Sequence, residues 1–276
     1  MSFFSCQNTE SKSDDIVFDD QRFENVLLAN EYVMKGTTQG TTFTIQFSDQ
    51  KALVSPKEIS LLLADFDNAL SSYLEGSFIN RLNDSDSIVD LSKAPYFKDC
   101  FELSQEVFLS SKGAFDPSVF PLVKAWGFFK DMENTPTQSE IDSVLKFTGF
   151  EEGKHYSYEN GFYQIKTPGF KVDFNAIAQG QSVDVVADYI RRKGHKSFYI
   201  EIGGEIYVEG LNFENEPWVI GIDLPSEENT GFGERNIENY LKISNKAVAT
   251  SGNYRKFYEK DGIKRSHTLN PKNGYP

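Results

Sequence analysis

The sequence predicts a fold that contains both helices and strands, in one large domain or two closely packed ones. Ser55-Pro56-Lys57-Glu58 and Thr137-Gln138-Ser139-Glu140 have the pattern of capping boxes, which start helices. Thr41–Phe47 and Pro217–Ile222 alternate apolar and polar residues, as half-buried strands do. With 276 residues, of which 39% are hydrophobic, the chain is long enough to bury a substantial core.

The charge balance argues against nucleic acid as a partner. The formal net charge is −13, from 41 acidic and 28 basic residues, and such a surface repels both nucleic acid and anionic lipid headgroups. No stretch is long and apolar enough to span a bilayer. The two cysteines, Cys6 and Cys100, cannot form a disulfide framework, and Cys100 is expected to be a small core residue.

Cys6 has a different context. It follows Phe3-Phe4-Ser5 and precedes the polar run Gln7–Asp15, which is similar to the end of a bacterial lipoprotein signal. Residues 1–15 would then be a tether, residues 16–276 the folded domain, and the protein would be periplasmic and lipid-anchored to a membrane through Cys6. The usual basic and long apolar regions are missing upstream, and a free cysteine in a disordered tail explains the pattern almost as well.

Glycines and caps mark the elements of the first half. Gly36 and Gly40 are expected to bracket a turn, and Gly113 to end a helix over Pro95–Ser110. A helical segment should end at Trp126-Gly127-Phe128, and the helix that begins after Thr137 should reach Phe147. The helix after Ser55 has a helically spaced apolar stripe, expected to be core: Ile59, Leu62, Leu63, Phe66, Leu70 and Tyr73.

The stretch Val172–Gly210 is the centre of the pattern. We predict strands over Phe162–Lys166 and Lys171–Phe174, with Asp173 able to accept hydrogen bonds where the next helix begins. That helix runs through Arg191 and is stopped by Gly194, and two strands follow, Ser197–Ile202 and Glu205–Glu209, around a Gly203-Gly204 turn. One carboxylate then faces a glycine-lined gap, which suggests a pocket for an anionic or polar ligand.

The last part of the chain is chemically dense. Thr230–Asn236 should be a loop, and Tyr240–Ile243 and Lys246–Thr250 resemble a hairpin about Ser244-Asn245. His155 and His195 lie in polar loop contexts and are expected to be solvated. His267 lies between a strand and an Asn-Pro turn; it can act as an acid or base near neutral pH, although taken alone a structural role is the better interpretation. There is no phosphate-binding P-loop, dinucleotide fingerprint, zinc spacing or nucleophile elbow.

Several short motifs follow one another in a recognisable order: Gly36–Thr41, Ser71–Tyr73, Ser77–Asn83, Gly113–Pro117, Trp126–Phe128, Asp173–Gly180, Gly203–Glu205, Thr250–Gly252 and Ser266–Gly274. Together they resemble the ApbE family, the FAD:protein FMN transferases. The resemblance implies an α+β fold with antiparallel sheets flanked by helices. It also implies that FAD binds in a cleft and is cut at its pyrophosphate with the help of magnesium. The FMN half would move to a Thr hydroxyl of a target flavoprotein, expected to be a subunit of a membrane redox complex, and AMP would be released.

Site residues carry over by motif. Ala176 would offer its backbone carbonyl to magnesium, and His267 would be the base or the group that orients the acceptor. Contacts to the flavin and adenine parts of FAD would come from Gln39, Tyr73, Ala114, Phe115, Asp116, Asp173, Gln179 and Leu269.

The chain departs from the family pattern at four of these motif positions. Gln39 replaces a Met, Gln179 a Lys or Glu, Asn270 an Asp and Asn273 a Thr. Family members also continue past Gly-Tyr-Pro with the side-chain ligands of the metal, which the resemblance therefore places beyond Pro276. We accordingly expect residues 1–276 to bind FAD but to show little or no magnesium-dependent transfer.

Three alternatives remain open at this point. The chain can be a magnesium-dependent FAD pyrophosphatase that yields free FMN and AMP, or a non-catalytic FAD-binding lipoprotein. A generic solute-binding lipoprotein explains the acidity and the tether but not the ordered motifs.

Overall fold

A computed structural model describes residues 24–28, 31–48, 54–129, 135–224, 237–252, 257–260 and 262–276. The predictions for Cys6, the 1–15 tether and the Thr230–Asn236 loop lie outside these residues. No helix in the described part is long and apolar enough to cross a membrane. The helices are α1 (Pro56–Leu70), α2 (Phe78–Asn83), α3 (Pro95–Ser110), α4 (Phe120–Ala125), α5 (Gln138–Leu145) and α6 (Asn175–Arg192).

The strands form antiparallel sheets. They are β1 (Glu24–Leu28), β2 (Glu31–Thr38), β3 (Thr41–Phe47), β4 (Val89–Asp90), β5 (Tyr156–Glu159), β6 (Phe162–Ile165), β7 (Phe198–Ile202), β8 (Glu205–Glu209), β9 (Trp218–Asp223), β10 (Ile237–Ile243), β11 (Lys246–Val248), β12 (Phe257–Lys260) and β13 (Ile263–Ser266). The largest sheet has the order β1-β2-β3-β7-β8-β11, and a smaller one the order β4-β6-β5. The predicted α+β class with antiparallel sheets is confirmed.

Two apolar clusters hold the helices on the sheets. The first joins α1 and α6 to the large sheet, where Phe43, Ile45 and Phe47 of β3 meet Leu63 of α1 and Ile190 of α6, all buried. The second is rich in aromatic rings and packs α2 and α3 against the small sheet; buried Cys100 belongs to it, as expected. Both predicted capping boxes are present, at Ser55 and Thr137. Helix α6 takes part in both clusters, and its first residues lie where the two clusters meet.

Lys171–Phe174 is not a strand, contrary to the prediction. Its backbone pairs with a side chain instead of a neighbouring strand: Asn83 Nδ2 donates to the Val172 carbonyl, and the Val172 N–H donates to Asn83 Oδ1, both at 2.8 Å. Alternating apolar residues signal an extended backbone with one buried face, and they do not reveal what pairs with it.

The predicted hairpin about Ser244-Asn245 is also wrong. The two strands exist, but β10 pairs with β9 and β11 pairs with β8, in different sheets. Asn245 has a positive φ of 52°, and its Oδ1 accepts from the N–H of Gly210 at 2.8 Å. A turn is present at Ser244-Asn245 as predicted, but it connects strands of two different sheets.

Three local expectations need correction as well. His155 and His195 are 6% and 1% exposed and pack on Phe170 and Phe47, so neither is solvated. Tyr73 lies beyond the end of α1 and is 58% exposed, so it does not belong to the buried stripe. Gly36 lies within β2; the turn consists of Gln39 and Gly40.

Candidate active site

Asp173 lies two residues before the first residue of α6, Asn175, and binds it. Its Oδ1 accepts from the N–H of Asn175 at 2.7 Å, and its Oδ2 accepts from Asn175 Nδ2 at 2.9 Å. The N–H of Asp173 donates to the Pro117 carbonyl at 2.9 Å, which ties the loop after α3 to this helix. Burial raises the pKa of the Asp173 carboxyl, while hydrogen bonds from Asn175 and Ser72 oppose the rise. The prediction that Asp173 accepts hydrogen bonds at the helix start is confirmed, and the donors are the N–H and the side-chain amide of Asn175.

Tyr73 presents an exposed ring beside Asp173. Asn80 of α2 fixes the loop that carries it, because Asn80 Nδ2 donates to the carbonyls of Ser72 at 3.1 Å and Leu74 at 2.8 Å. The Tyr73 ring stacks on Phe129, with centroids 4.8 Å apart and planes 14° apart. Burial raises the pKa of Tyr73, and the charge of Asp173 raises it further.

Lys124 adds a positive charge near the aromatic stack and the Asp173 carboxylate. Its ammonium lies 4.4 Å from the ring centre of Phe120 and 5.1 Å from that of Phe129, within cation–π range. It also lowers the pKa of Asp173, against the larger effect of burial. A cation, an aromatic stack and a carboxylate thus converge at the start of α6.

Asp116 is held by its own loop. It is 7% exposed, and its Oδ1 accepts from both the N–H and the Oγ of Ser118, at 2.8 and 2.5 Å. Burial raises its pKa, and the Ser118 hydrogen bonds oppose the rise. Ala114 is exposed and Phe115 is half-buried. Asp116 therefore shapes this loop, and Ala114 and Phe115 are its more accessible residues.

Gln39 and Gln179 meet at a second corner, near the Gly203-Gly204 turn. Gly203 has a positive φ of 61°, and a Cβ added to it would lie 2.2 Å from Gln179 Nε2 and 2.8 Å from Thr41 Cγ2, so a larger residue would strain the backbone and displace these side chains. Ser182 joins the two glutamines, since its Oγ lies 2.7 Å from the Gln179 carbonyl and 3.4 Å from Gln39 Oε1. Gln179 lies one turn of α6 beyond Ala176. The two glutamines are therefore close to the residues around Asp173 at the start of this helix.

The terminal segment, residues 267–276, packs against α4 and α5. Trp126 Nε1 donates to the Gly274 carbonyl at 2.7 Å, and Leu269 packs against the cluster of Leu122, Trp126 and Ile141. His267 is exposed just after β13. The segment joins the site through Trp126, which directly follows α4, the helix that carries Lys124.

The described residues do not by themselves make a magnesium site. Ala176 is exposed in the first turn of α6, where its carbonyl can serve as one ligand. No group of three or more His, Cys, Asp or Glu side chains that could hold a metal occurs in the described part of the chain. The Asp173 carboxylate is already engaged by Asn175.

Sequence reasoning missed several contributors. Lys124 and Phe129 flank Trp126-Gly127-Phe128, and nothing in the pattern marks them, because their importance depends on how the Tyr73 loop folds back. Asp67 lies on α1, where the helical pattern of the sequence predicts only a solvent-exposed position. Asn83 belongs to the Ser77–Asn83 motif, but its bonding to Val172 could not be read from spacing.

A family model matches this architecture over most of the chain. The ApbE family model covers residues 39–276. The chain belongs to the ApbE family. Its similarity to curated ApbE relatives extends over nearly the same length: it is 33% identical over 258 residues to the FAD:protein FMN transferase of Vibrio cholerae, covering 90% of this chain and 74% of that protein. For the FAD:protein FMN transferase of Haemophilus influenzae the identity is 30%, covering 88% and 72%.

Solved ApbE structures share the fold. The flavin transferase ApbE from Vibrio cholerae superposes with a TM-score of 0.75 at 31% identity, covering 92% of this chain and 78% of that one. The sequence-based recognition of the ApbE family is therefore confirmed, and so is the α+β architecture that it implied.

Proposed function

We propose that this protein is an FAD:protein FMN transferase, which moves FMN from FAD to a Thr hydroxyl of a target flavoprotein and releases AMP. The observation that carries the proposal is the meeting of three separate ApbE motifs at the start of α6. Ser72-Tyr73, the Asp116-Pro117 loop and Asp173 converge there through the Asp173–Pro117 hydrogen bond and through Asn175, whose side-chain amide reaches both Asp173 and Ser72.

The residues divide the work of binding FAD. The exposed Tyr73 ring and its partner Phe129 offer a stacking surface for a flavin or adenine ring. The Gln39 and Gln179 amides can hydrogen-bond the polar edge of such a ring. Lys124 supplies a positive charge that can bind an oxygen of the pyrophosphate directly.

The transfer itself is a displacement at phosphorus. The Thr oxygen of the target attacks the FMN phosphorus, the bond to the bridging pyrophosphate oxygen breaks, and AMP leaves with that oxygen. The proton of the Thr hydroxyl goes to a base, and exposed His267 is the residue to which we assign this role.

Magnesium is part of the proposal, and it rests on the family resemblance and on Ala176, an exposed residue in the first turn of α6. When bound, the ion would neutralise charge on the pyrophosphate. Flavin binding and metal dependence can be measured separately: EDTA should stop AMP release while leaving FAD bound. Turnover that is insensitive to EDTA would contradict the magnesium requirement and leave the FAD site intact.

The direct test is the mass of the target. The full-length protein, with any residues that follow Pro276, is incubated with FAD, magnesium and a candidate flavoprotein domain, and we expect the target to gain the mass of an FMN group as AMP appears in equal amount. A target variant with the acceptor Thr replaced by Val should gain nothing. AMP released with free FMN and no labelled target would instead support FAD pyrophosphatase activity.

The place of the reaction follows from Cys6, and it is also a proposal. If Phe4-Ser5-Cys6 ends a lipoprotein signal, the full-length precursor is anchored to a membrane facing the periplasm, close to membrane redox subunits as targets. Cell fractionation tests this: wild type should sediment with membranes and Cys6→Ala should not. Equal distribution of the two proteins would contradict the anchor.

A further inference from the structure

A cavity of about 560 Å³ lies between the end of α3, the loop that follows α5 and the Pro271-Lys272 turn of the terminal segment. Each of these three parts of the chain contributes a lysine to its wall: Lys112, Lys154 and Lys272. Of the residues expected to contact FAD by motif, only Asp116 lines this cavity. The cavity is therefore a neighbour of the candidate FAD site, and most of its wall comes from residues outside that site.

Lys154 is fixed in the wall of this cavity. Its ammonium donates to the Thr148 carbonyl at 2.9 Å and lies 3.8 Å from the Glu151 carboxylate. Gly149 has a φ of 122°, and a Cβ added there would overlap the Lys154 ammonium. A glycine thus leaves room for the ammonium against the backbone, so that this positive charge is held in one place.

The wall carries more positive than negative charge. Its two carboxylates are Asp116 and Glu151; Asp116 is buried and bonded to Ser118, and Glu151 faces Lys154. Lys112 and Lys272 are exposed, and neither forms an ion pair with any residue that the structure describes. In a chain with a net charge of −13, such a local excess of cations favours an anionic ligand.

The cavity is open to solvent at its rim. Leu109, at the end of α3, lines it and is 73% exposed, which places an apolar side chain beside the lysines. Small-molecule sites usually enclose most of the ligand surface, and this wall of exposed side chains does not. Its shape and its mixture of apolar and cationic groups fit a segment of another protein that lies across it.

Resting on the proposed function, we propose that the cavity binds an acidic segment of the target flavoprotein and thereby positions the acceptor Thr. The location favours this occupant. Lys272 belongs to the same short terminal segment as His267, which we assign as the base for the Thr hydroxyl. An acidic segment bound at Lys272 would therefore hold the rest of the target close to His267.

Hexaglutamate with a terminal fluorophore can probe the cavity without FAD or target. We expect it to bind the full-length protein, measured by fluorescence anisotropy, and hexaglutamine not to bind. Lys112→Glu and Lys272→Glu should each weaken hexaglutamate binding by about threefold to fivefold, the upper range for an exposed ion pair. Salt of about 1 M, where charges are screened beyond about 3 Å, should abolish binding.

Lys93→Glu is the matched control. Lys93 has an 82% exposed side chain and precedes α3, so its replacement changes the net charge equally. Lys112 follows the other end of this helix, and the 16 residues of α3 place the two lysines about 24 Å apart. Hexaglutamate should bind Lys93→Glu as tightly as wild type.

Steady-state kinetics connect the cavity to the transfer. Lys272→Glu should raise the KM for the target and leave both the KM for FAD and kcat at saturating target unchanged, because the lysine contacts only the target. Target variants in which the acidic residues nearest the acceptor Thr become the matching amides should show a raised KM with wild type. With these variants Lys272→Glu should have little further effect, since the two changes remove the same interaction.

The outcomes separate this inference from the proposed function. If Lys112→Glu or Lys272→Glu weakens FAD binding, the cavity holds part of FAD and the inference is wrong, although the transferase function stands. The inference is equally wrong if Lys93→Glu weakens hexaglutamate binding as much as Lys272→Glu does, or if the KM for the target is the same in all variants. If wild type labels no target, the proposed function fails, and the titration with hexaglutamate still decides whether the cavity binds an acidic chain.

Discussion

Asn83 bonds the backbone of Val172 in both directions, donating from Nδ2 and accepting at Oδ1, each at 2.8 Å. The side-chain amide thereby takes the place of a neighbouring strand. It fixes the segment immediately before Asp173, so the geometry of the site depends on a residue near the end of α2. Asn83 is 7% exposed, so its bonds to Val172 are largely shielded from solvent.

Replacing Asn83 with Ala should therefore be costly. The change leaves a buried N–H and a buried C=O without partners, and we expect a loss of about 2–4 kcal/mol in the free energy of unfolding. Urea denaturation measures it, with Asn68→Ala, an exposed Asn on α1, as the control. FAD affinity should also fall, since Asp173 follows directly. A stability equal to that of the control would show that the amide is dispensable.

Gly274 and Gly262 form a matched pair for testing the terminal segment. Both have a positive φ, 75° and 70°, so alanine strains the backbone at each. At Gly274 the added Cβ would also lie 2.6 Å from Ile141 Cγ2, whereas nothing lies within 4 Å at Gly262. Gly274→Ala should cost about 1–3 kcal/mol more than Gly262→Ala. It should also reduce FMN transfer, because Leu269 and His267 belong to the segment that it displaces; equal effects of the two changes would mean that this docking is loose.

His267 can be tested by separating binding from chemistry. As the base for the Thr hydroxyl, His267→Ala should leave FAD affinity nearly unchanged while FMN transfer falls by about 10²–10⁴-fold, the usual contribution of a positioned acid or base. His195→Ala, which removes a buried ring packed on Phe47, should affect stability first. If His267→Ala transfers normally but no longer binds FAD, the residue is a binding group and the catalytic assignment is wrong.

Asp67 predicts a pH dependence of stability. Burial raises its pKa from 3.8 to about 6, although the Gln39 amide opposes the rise. Because the folded value lies above the unfolded one, the stabilising contribution is complete below about pH 4 and is lost as pH rises through 6. Asp67→Asn should therefore be more stable than wild type at pH 7.5, by about 1–3 kcal/mol, and similar at pH 4. Melting curves at the two pH values measure this, and a constant difference between them would contradict it.

What the sequence could predict depended on whether the signal was local. The capping boxes at Ser55 and Thr137 and the helix that ends before Gly113 were correct because capping groups lie within a few residues of each other. The strand over Lys171–Phe174 was wrong because its partner, Asn83, lies far away in the chain. His155 failed for a similar reason: it follows charged residues, yet its ring packs on Phe170.

The candidate site shows the same division. The motif order identified the family and drew attention to Tyr73, Asp116 and Asp173, which the structure places around one helix start. Their assigned contacts with FAD, and those of Gln39, Gln179, Leu269 and Ala176, stay predictions. Lys124, Phe129 and Asp67 are recognised only because the folded chain brings them close to the site. The spacing of residues in a single sequence does not reveal such proximity.

The order of the large sheet bears on how the chain acquires its shape. Strand β3 pairs with β7, so that Phe43 lies opposite Ile202, and no earlier strand in the described residues completes the sheet on that side. During synthesis the hairpin of β2 and β3 must wait for most of the chain before its open edge is covered. Folds dominated by such distant pairings form slowly and expose strand edges meanwhile. A nascent chain halted before Phe198 should therefore remain open to proteases and in need of chaperones.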